Sequence, residues 1–144
     1  MGKLFAIAGR PGSGKTKYLY NMKSLLNEKM FLTSAIDYST FESMMQELSS
    51  CIMENDTYQC IAIDCFEESL IEQWEKVNYW KYKRSLNILA GLAESFDVDI
   101  YIAVGLKRQA DKESSVYCSY NNLRSKAILE ETDGVFFLKA DYYL

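Results

Sequence analysis

Eight consecutive residues, Gly9-Arg10-Pro11-Gly12-Ser13-Gly14-Lys15-Thr16, carry the most specific chemistry in the chain. They satisfy G-x-x-x-x-G-K-[ST] at every fixed position. Glycines permit the positive φ angles and close backbone approach that turn successive N–H groups inward onto phosphate oxygens. A helix starting at the end of such a loop adds its own unpaired N–H groups and the positive end of its dipole. Lys15 then reaches the β- and γ-phosphates as a point charge, and the Thr16 hydroxyl ligates Mg2+. The motif predicts a cofactor-binding loop from Gly9 to Thr16 for a nucleoside triphosphate, ATP, with Mg2+.

A phosphate loop needs a second acid for the metal. Asp64 follows the apolar run Cys60–Ile63 and is predicted to hold Mg2+ with Thr16. The alternative for Asp64 is a cap on the next helix. Hydrolysis also needs a group to orient or deprotonate water. Asp37, after the second apolar run, is the first candidate, and Glu67 and Glu68 are weaker ones; solvated surface charge is the competing reading of each. The predicted catalytic set is Lys15, Asp64 and Asp37. Lys107, Arg108, Lys112, Arg124 and Lys126 form a locally basic stretch. They are either solvated side chains or a contact for a nucleic-acid backbone or a neighbouring subunit's nucleotide, with Lys107, Arg108 and Arg124 the named nucleic-acid candidates. Tyr79, Trp80 and Tyr82 read as helix packing or as a base-stacking platform.

These groups must be positioned by a fold, and the hydropathy pattern supplies one. Leu4–Ala8, Met30–Leu32 (ending near Ser34 or Ala35), Cys60–Ile63, Val98–Val104 and Val135–Leu138 are short apolar runs, read as strands. Between them, apolar residues recur at helical spacing from Lys15 to Leu26 and from Phe41 to Ile52. A third helical stretch runs from Leu70 to Phe96, either as one helix or as two broken near Asn78. Leu123, Ala127 and Ile128 mark a short fourth helix, and Lys107–Ser119 reads as a loop. Strand and helix alternate throughout, which predicts an α/β fold with a mostly parallel sheet and right-handed crossovers. Ligands in such sheets bind outside the carboxyl ends of the strands.

The composition excludes several other chemistries. The 144 residues, 49% hydrophobic and 25% charged, fit one folded domain spanning 1–144. The chain has no histidine, which removes His-based acid–base catalysis and Cys–His zinc sites. Cys51, Cys60, Cys65 and Cys118 form no C-x-x-C pair, and three of them sit in or beside apolar runs, so buried reduced thiols are expected. The net charge of −4 argues against strong sequence-independent nucleic-acid binding by the isolated domain. No apolar run approaches the roughly 20 residues needed to cross a bilayer, and no secretory signal is evident. The expectation is a cytoplasmic protein with no membrane partner.

With a phosphate loop on the first strand, an acid on the third and five strands in all, the pattern resembles the additional-strand P-loop ATPases. Their strand order is 5-1-4-3-2, in a three-layer, RecA-like fold. The chain is more closely similar to the motor domain of DnaB-type replicative helicases. The resemblance rests on GRPGSGKT, on IDCFEES around Asp64, and on Ser85–Tyr143, including SLNILAGLAESFDVDIYIAVGLKRQADK and LRSKAILEETDGVFFLKADYY. It implies ATP and Mg2+ as cofactors. It also allows single-stranded DNA, a helicase or replication protein, or further copies of this chain as partners.

Several departures qualify the resemblance. Gly105 stands where the family carries a glutamine that senses the γ-phosphate, and Asp37 is only the nearest match to the family's glutamate after strand two. Leu123-Arg124-Ser125-Lys126 keeps the arginine of the family's L-R-E-S-G but loses its glutamate and glycine. The family's terminal strands, which carry an arginine finger, have no counterpart before Leu144. The resemblance therefore implies a reduced RecA-like module that binds Mg-ATP and hydrolyses it weakly, in DNA replication or recombination. A small-molecule kinase acting on a nucleoside or metabolite, and a non-catalytic nucleotide-binding partner of a helicase, are the alternatives.

Overall fold

A computed structural model describes residues 2–9, 14–70, 77–106 and 123–138. Five strands form one sheet: β1 (Leu4–Ala8), β2 (Met30–Ser34), β3 (Cys60–Asp64), β4 (Asp99–Val104) and β5 (Gly134–Phe137). The order is β2-β3-β4-β1-β5 with every pairing parallel, which is 5-1-4-3-2 read from the opposite edge. Parallel strands need crossovers. These contain α1 (Lys15–Leu26), α2 (Phe41–Glu54), α3 (Tyr79–Phe96) and α4 (Lys126–Glu131).

Alternation along each strand divides the core into two layers of side chains. Leu4, Ala6 and Ala8 of β1, with Ile61, Ile63, Ile100 and Ile102, pack on one face against Met44 and Leu48 of α2, Leu86 and Leu89 of α3, and Ile128 of α4. Ile7, Cys60, Ala62 and Ala103 face the other way and meet Leu19 of α1. A sheet covered on both faces needs apolar residues in both registers, so β3 reads as a continuous apolar run.

Local chemistry sets the helix ends. Thr40 and Ser43 form a reciprocal cap on α2, with Ser43 N–H donating to Thr40 Oγ1 at 3.0 Å and Thr40 N–H to Ser43 Oγ at 3.3 Å. Asn78 accepts from Lys81 N–H at 2.9 Å. The suspected break near Asn78 is therefore the N-cap of α3, which runs to Phe96; residues 71–76 lie outside the described ones. β2 ends at Ser34, as expected, and three other boundaries differ. β4 starts at Asp99, and β5 spans Gly134–Phe137 rather than Val135–Leu138. Leu123 is not in the fourth helix: it forms an antiparallel bridge with Leu106, and Ser125 caps α4, accepting from Ala127 N–H at 3.2 Å.

The thiols also depart from expectation. Cys60 is buried, but Cys51 and Cys65 are half-exposed; Cys118 is outside the described residues. Burial, with Asp99 nearby, pushes the Cys60 thiol from its usual 9.0 up to about 11, against a smaller opposing effect of Lys23. A raised folded-state pKa means the unfolded chain releases its proton first as pH rises, so this contribution to stability is present below pH 9 and lost towards 11. Between pH 8.5 and 10.5, urea unfolding midpoints should therefore fall more steeply for the wild type than for Cys60→Ala. The differential is expected to be about 1–2 kcal/mol.

Candidate nucleotide site

The described groups that could act on a phosphate chain stand at the carboxyl ends of β1, β3 and β4. The root of the loop, Gly9, follows β1 and donates its N–H to the Val104 carbonyl of β4 at 3.3 Å. Arg10, Pro11, Gly12 and Ser13 lie outside the described residues. The loop returns at Gly14, whose φ of 93° is left-handed and suited to glycine. Gly14 is the N-cap of α1 and offers no side chain to the first helical turn, which contains no acidic residue. That leaves the amino end of α1 positive and its early N–H groups without a side-chain cap.

Lys15 Nζ donates to the Gly9 carbonyl at 2.6 Å. The ammonium is thus held by the residue that follows β1. Burial lowers its pKa from 10.5, as does the Arg124 charge, while Cys65, Glu67 and Asp64 oppose that shift. A partly desolvated ammonium is suited to an anionic ligand.

Thr16 and Asp64 come together as expected. Thr16 Oγ1 donates to Asp64 Oδ2 at 2.8 Å across 48 residues of sequence. One hydroxyl and one carboxylate are the hard oxygen donors that Mg2+ prefers, and both would hold the cation, the carboxylate directly or through a water. The residues present fit the cation. Asp37, in a 3-10 turn after β2, is exposed and lines the same cavity of about 330 Å3 as Thr16, Thr33, Ser34 and Asp64.

Immediately after Asp64 the chain turns through Cys65 at φ 54°, a left-handed geometry unusual outside glycine. The turn feeds Phe66–Ser69, a 3-10 turn that buries Phe66 and Glu67. Glu67 is not a free base. Its Oε1 accepts the Gly105 N–H at 2.7 Å, its Oε2 accepts the Tyr82 hydroxyl at 2.9 Å, and Arg124 Nη1 lies 3.4 Å from Oε2. Three donors converge on this buried carboxylate, so it is a held group and not the solvated surface charge that was the competing reading. Tyr82 is likewise buried and bonded, as helix packing requires, while Trp80 is exposed and stacks edge-on against Tyr79.

Arg124 does not stand apart on a basic surface. Its Nε donates to the Leu106 carbonyl at 3.0 Å and its fork sits against Glu67 and Gly105. Lys126 is exposed on α4; Lys107, Arg108 and Lys112 are outside the described residues. Sequence reasoning missed the four-residue cluster of Glu67, Tyr82, Gly105 and Arg124. Its one available signal was a glycine at the end of β4, where space was being left for something else.

Solved structures share this fold. An ATPase domain superposes with a TM-score of 0.78 at 15% identity, covering 98% of this chain and 71% of that one. A DnaB-like replicative helicase, solved in a study of its interactions with primase, matches with a TM-score of 0.79 at 15% identity, over 98% of this chain and 48% of the helicase chain. The chain has the fold of a DnaB-like helicase ATPase domain. It spans about half of that helicase. No protein-family model and no curated protein sequence matches it. Among the described residues, no helix of this RecA-like fold is long and apolar enough to cross a membrane.

Proposed function

We propose that this chain binds Mg-ATP and hydrolyses it slowly, as a reduced RecA-like module working beside DNA replication or recombination machinery. The observation that carries the reading is the Thr16–Asp64 pair, 2.8 Å apart, standing with the Lys15 ammonium at the strand ends where α1 begins. Lys15 would bind the β- and γ-phosphates, while Thr16 and Asp64 would hold the cation. Bound there, Mg2+ supplies charge neutralisation to the phosphates.

Slow turnover follows from what surrounds the site. Glu67 already accepts from three donors, Gly105 brings no side chain, and Asp37 is an exposed group on the cavity lining. Positioning a water is the step this site does least for. The replication setting is supported by a structural neighbour that is itself a replicative helicase.

The test is calorimetric titration with ATP in the presence and absence of Mg2+, paired with measurement of phosphate release with and without single-stranded DNA. Asp64→Asn should abolish most of the Mg2+-dependent gain in affinity, about tenfold or more for a lost carboxylate contact, and leave metal-free binding nearly unchanged. Equal affinity gains from Mg2+ in wild type and variant would remove Asp64 from the metal site. Phosphate transfer to a nucleoside in preference to water would replace the ATPase reading with a kinase.

A further inference from the structure

Gly105 is the first residue after β4, and the N–H of Gly9 bonds to the residue before it. The end of β4 therefore lies beside the root of the phosphate loop. A side chain at 105 would meet the Arg124 guanidinium: a Cβ placed there falls 2.7 Å from Nη2, 2.8 Å from Cζ and 3.2 Å from Nε. The arginine occupies the volume that glycine vacates, and Glu67 and the Leu106 carbonyl hold it there.

Three features set Arg124 apart from an ordinary surface arginine. Its contact with Glu67 is long at 3.4 Å, against about 2.7–2.9 Å for a firm charge-assisted bond, so the fork is steered but not used up. Its side chain remains 46% exposed while Glu67 is 6% exposed, which leaves donors facing the open side. Its charge also reaches Lys15, whose pKa it helps to lower. The two positive charges feel each other, and a polyanion between them would relieve that repulsion.

We propose that Arg124 contacts the terminal phosphate of a bound nucleoside triphosphate from within the same chain, with Glu67 as the residue that positions it. The inference rests on the nucleotide reading above. A guanidinium that meets the terminal phosphate alone would distinguish triphosphate from diphosphate. The planar fork suits two phosphate oxygens at once, which an ammonium cannot match.

The experiment compares Mg-ATP and Mg-ADP affinities by calorimetry for the wild type, Arg124→Ala, Arg124→Lys and Gly105→Ala. Arg124→Ala should weaken ATP binding by about tenfold or more while ADP binding stays within about twofold. Arg124→Lys should recover part of the loss. Gly105→Ala keeps every charge but pushes the fork aside, and its φ lies outside the left-handed range. It should lower the preference for ATP in the same direction, and it decides the matter if Arg124→Ala does not fold. ATP and ADP affinities that change together, or not at all, overturn this inference and leave the nucleotide site standing. A wild-type chain that binds neither nucleotide overturns both.

Discussion

Replacing Lys15 by alanine should cost at least about a hundredfold in Mg-ATP affinity, since hydrogen bonds to charged groups contribute about 1.5–3 kcal/mol each and the proposed site has this ammonium bond two phosphates. The loss should leave folding intact. Lys15 is only half-buried and, among the described residues, its ammonium bonds to the Gly9 carbonyl, so alanine removes a charge rather than a prop from the core. Calorimetry gives the affinity, and the absence of any nucleotide-induced rise in Tm gives an independent check. Retained binding in the variant would end the phosphate-loop assignment. The wild type should also lose affinity as pH rises through the pKa of the free-protein ammonium, which burial sets below 10.5. Binding needs the protonated form, so the decline begins at lower pH than for an ordinary lysine.

The second large effect concerns stability. Glu67→Ala strips acceptors from the Gly105 N–H, the Tyr82 hydroxyl and the Arg124 fork in a single change. Tyr82 is buried and Gly105 partly so. Each orphaned buried donor costs about 1–3 kcal/mol, while the half-exposed Arg124 adds little because solvent screens it. A loss of about 3 kcal/mol is expected, seen as a fall in Tm of about 10 °C for a chain of this size. Glu67→Gln should lose far less, since its carboxamide still accepts from Gly105. Equal melting points for Glu67→Ala and the wild type would mean that the three donors find other partners.

The strands themselves and the approach of Thr16 to Asp64 were legible in the sequence. Each depends on short, local patterns, such as an apolar run that stops at Asp64 or a glycine-rich turn that opens α1. The order of the strands is not local, and only the family resemblance implied it. The cluster around Glu67 had no such pattern. Gly105 and Arg124 lie 38 and 57 residues from Glu67, and a lone glutamate after a strand reads as surface charge until its partners are known. Periodicity also placed Leu123 in the last helix because it is apolar and lies four residues before Ala127. Its true partner is Leu106, a pairing between distant segments that no helical spacing can announce. The sequence left one helix or two open at Asn78, and the asparagine cap, which acts within three residues, decides where α3 begins.

The left-handed corner at Cys65 ties the two halves of the site together. Asp64 leaves it towards Thr16, and Glu67, three residues on, leaves it towards β4 and Arg124. A metal drawing on the first carboxylate and an anion drawing on the guanidinium would thus pull on one shared pivot. Loading either side would pre-align the other, so nucleotide and cation should reinforce each other's capture rather than bind as independent guests.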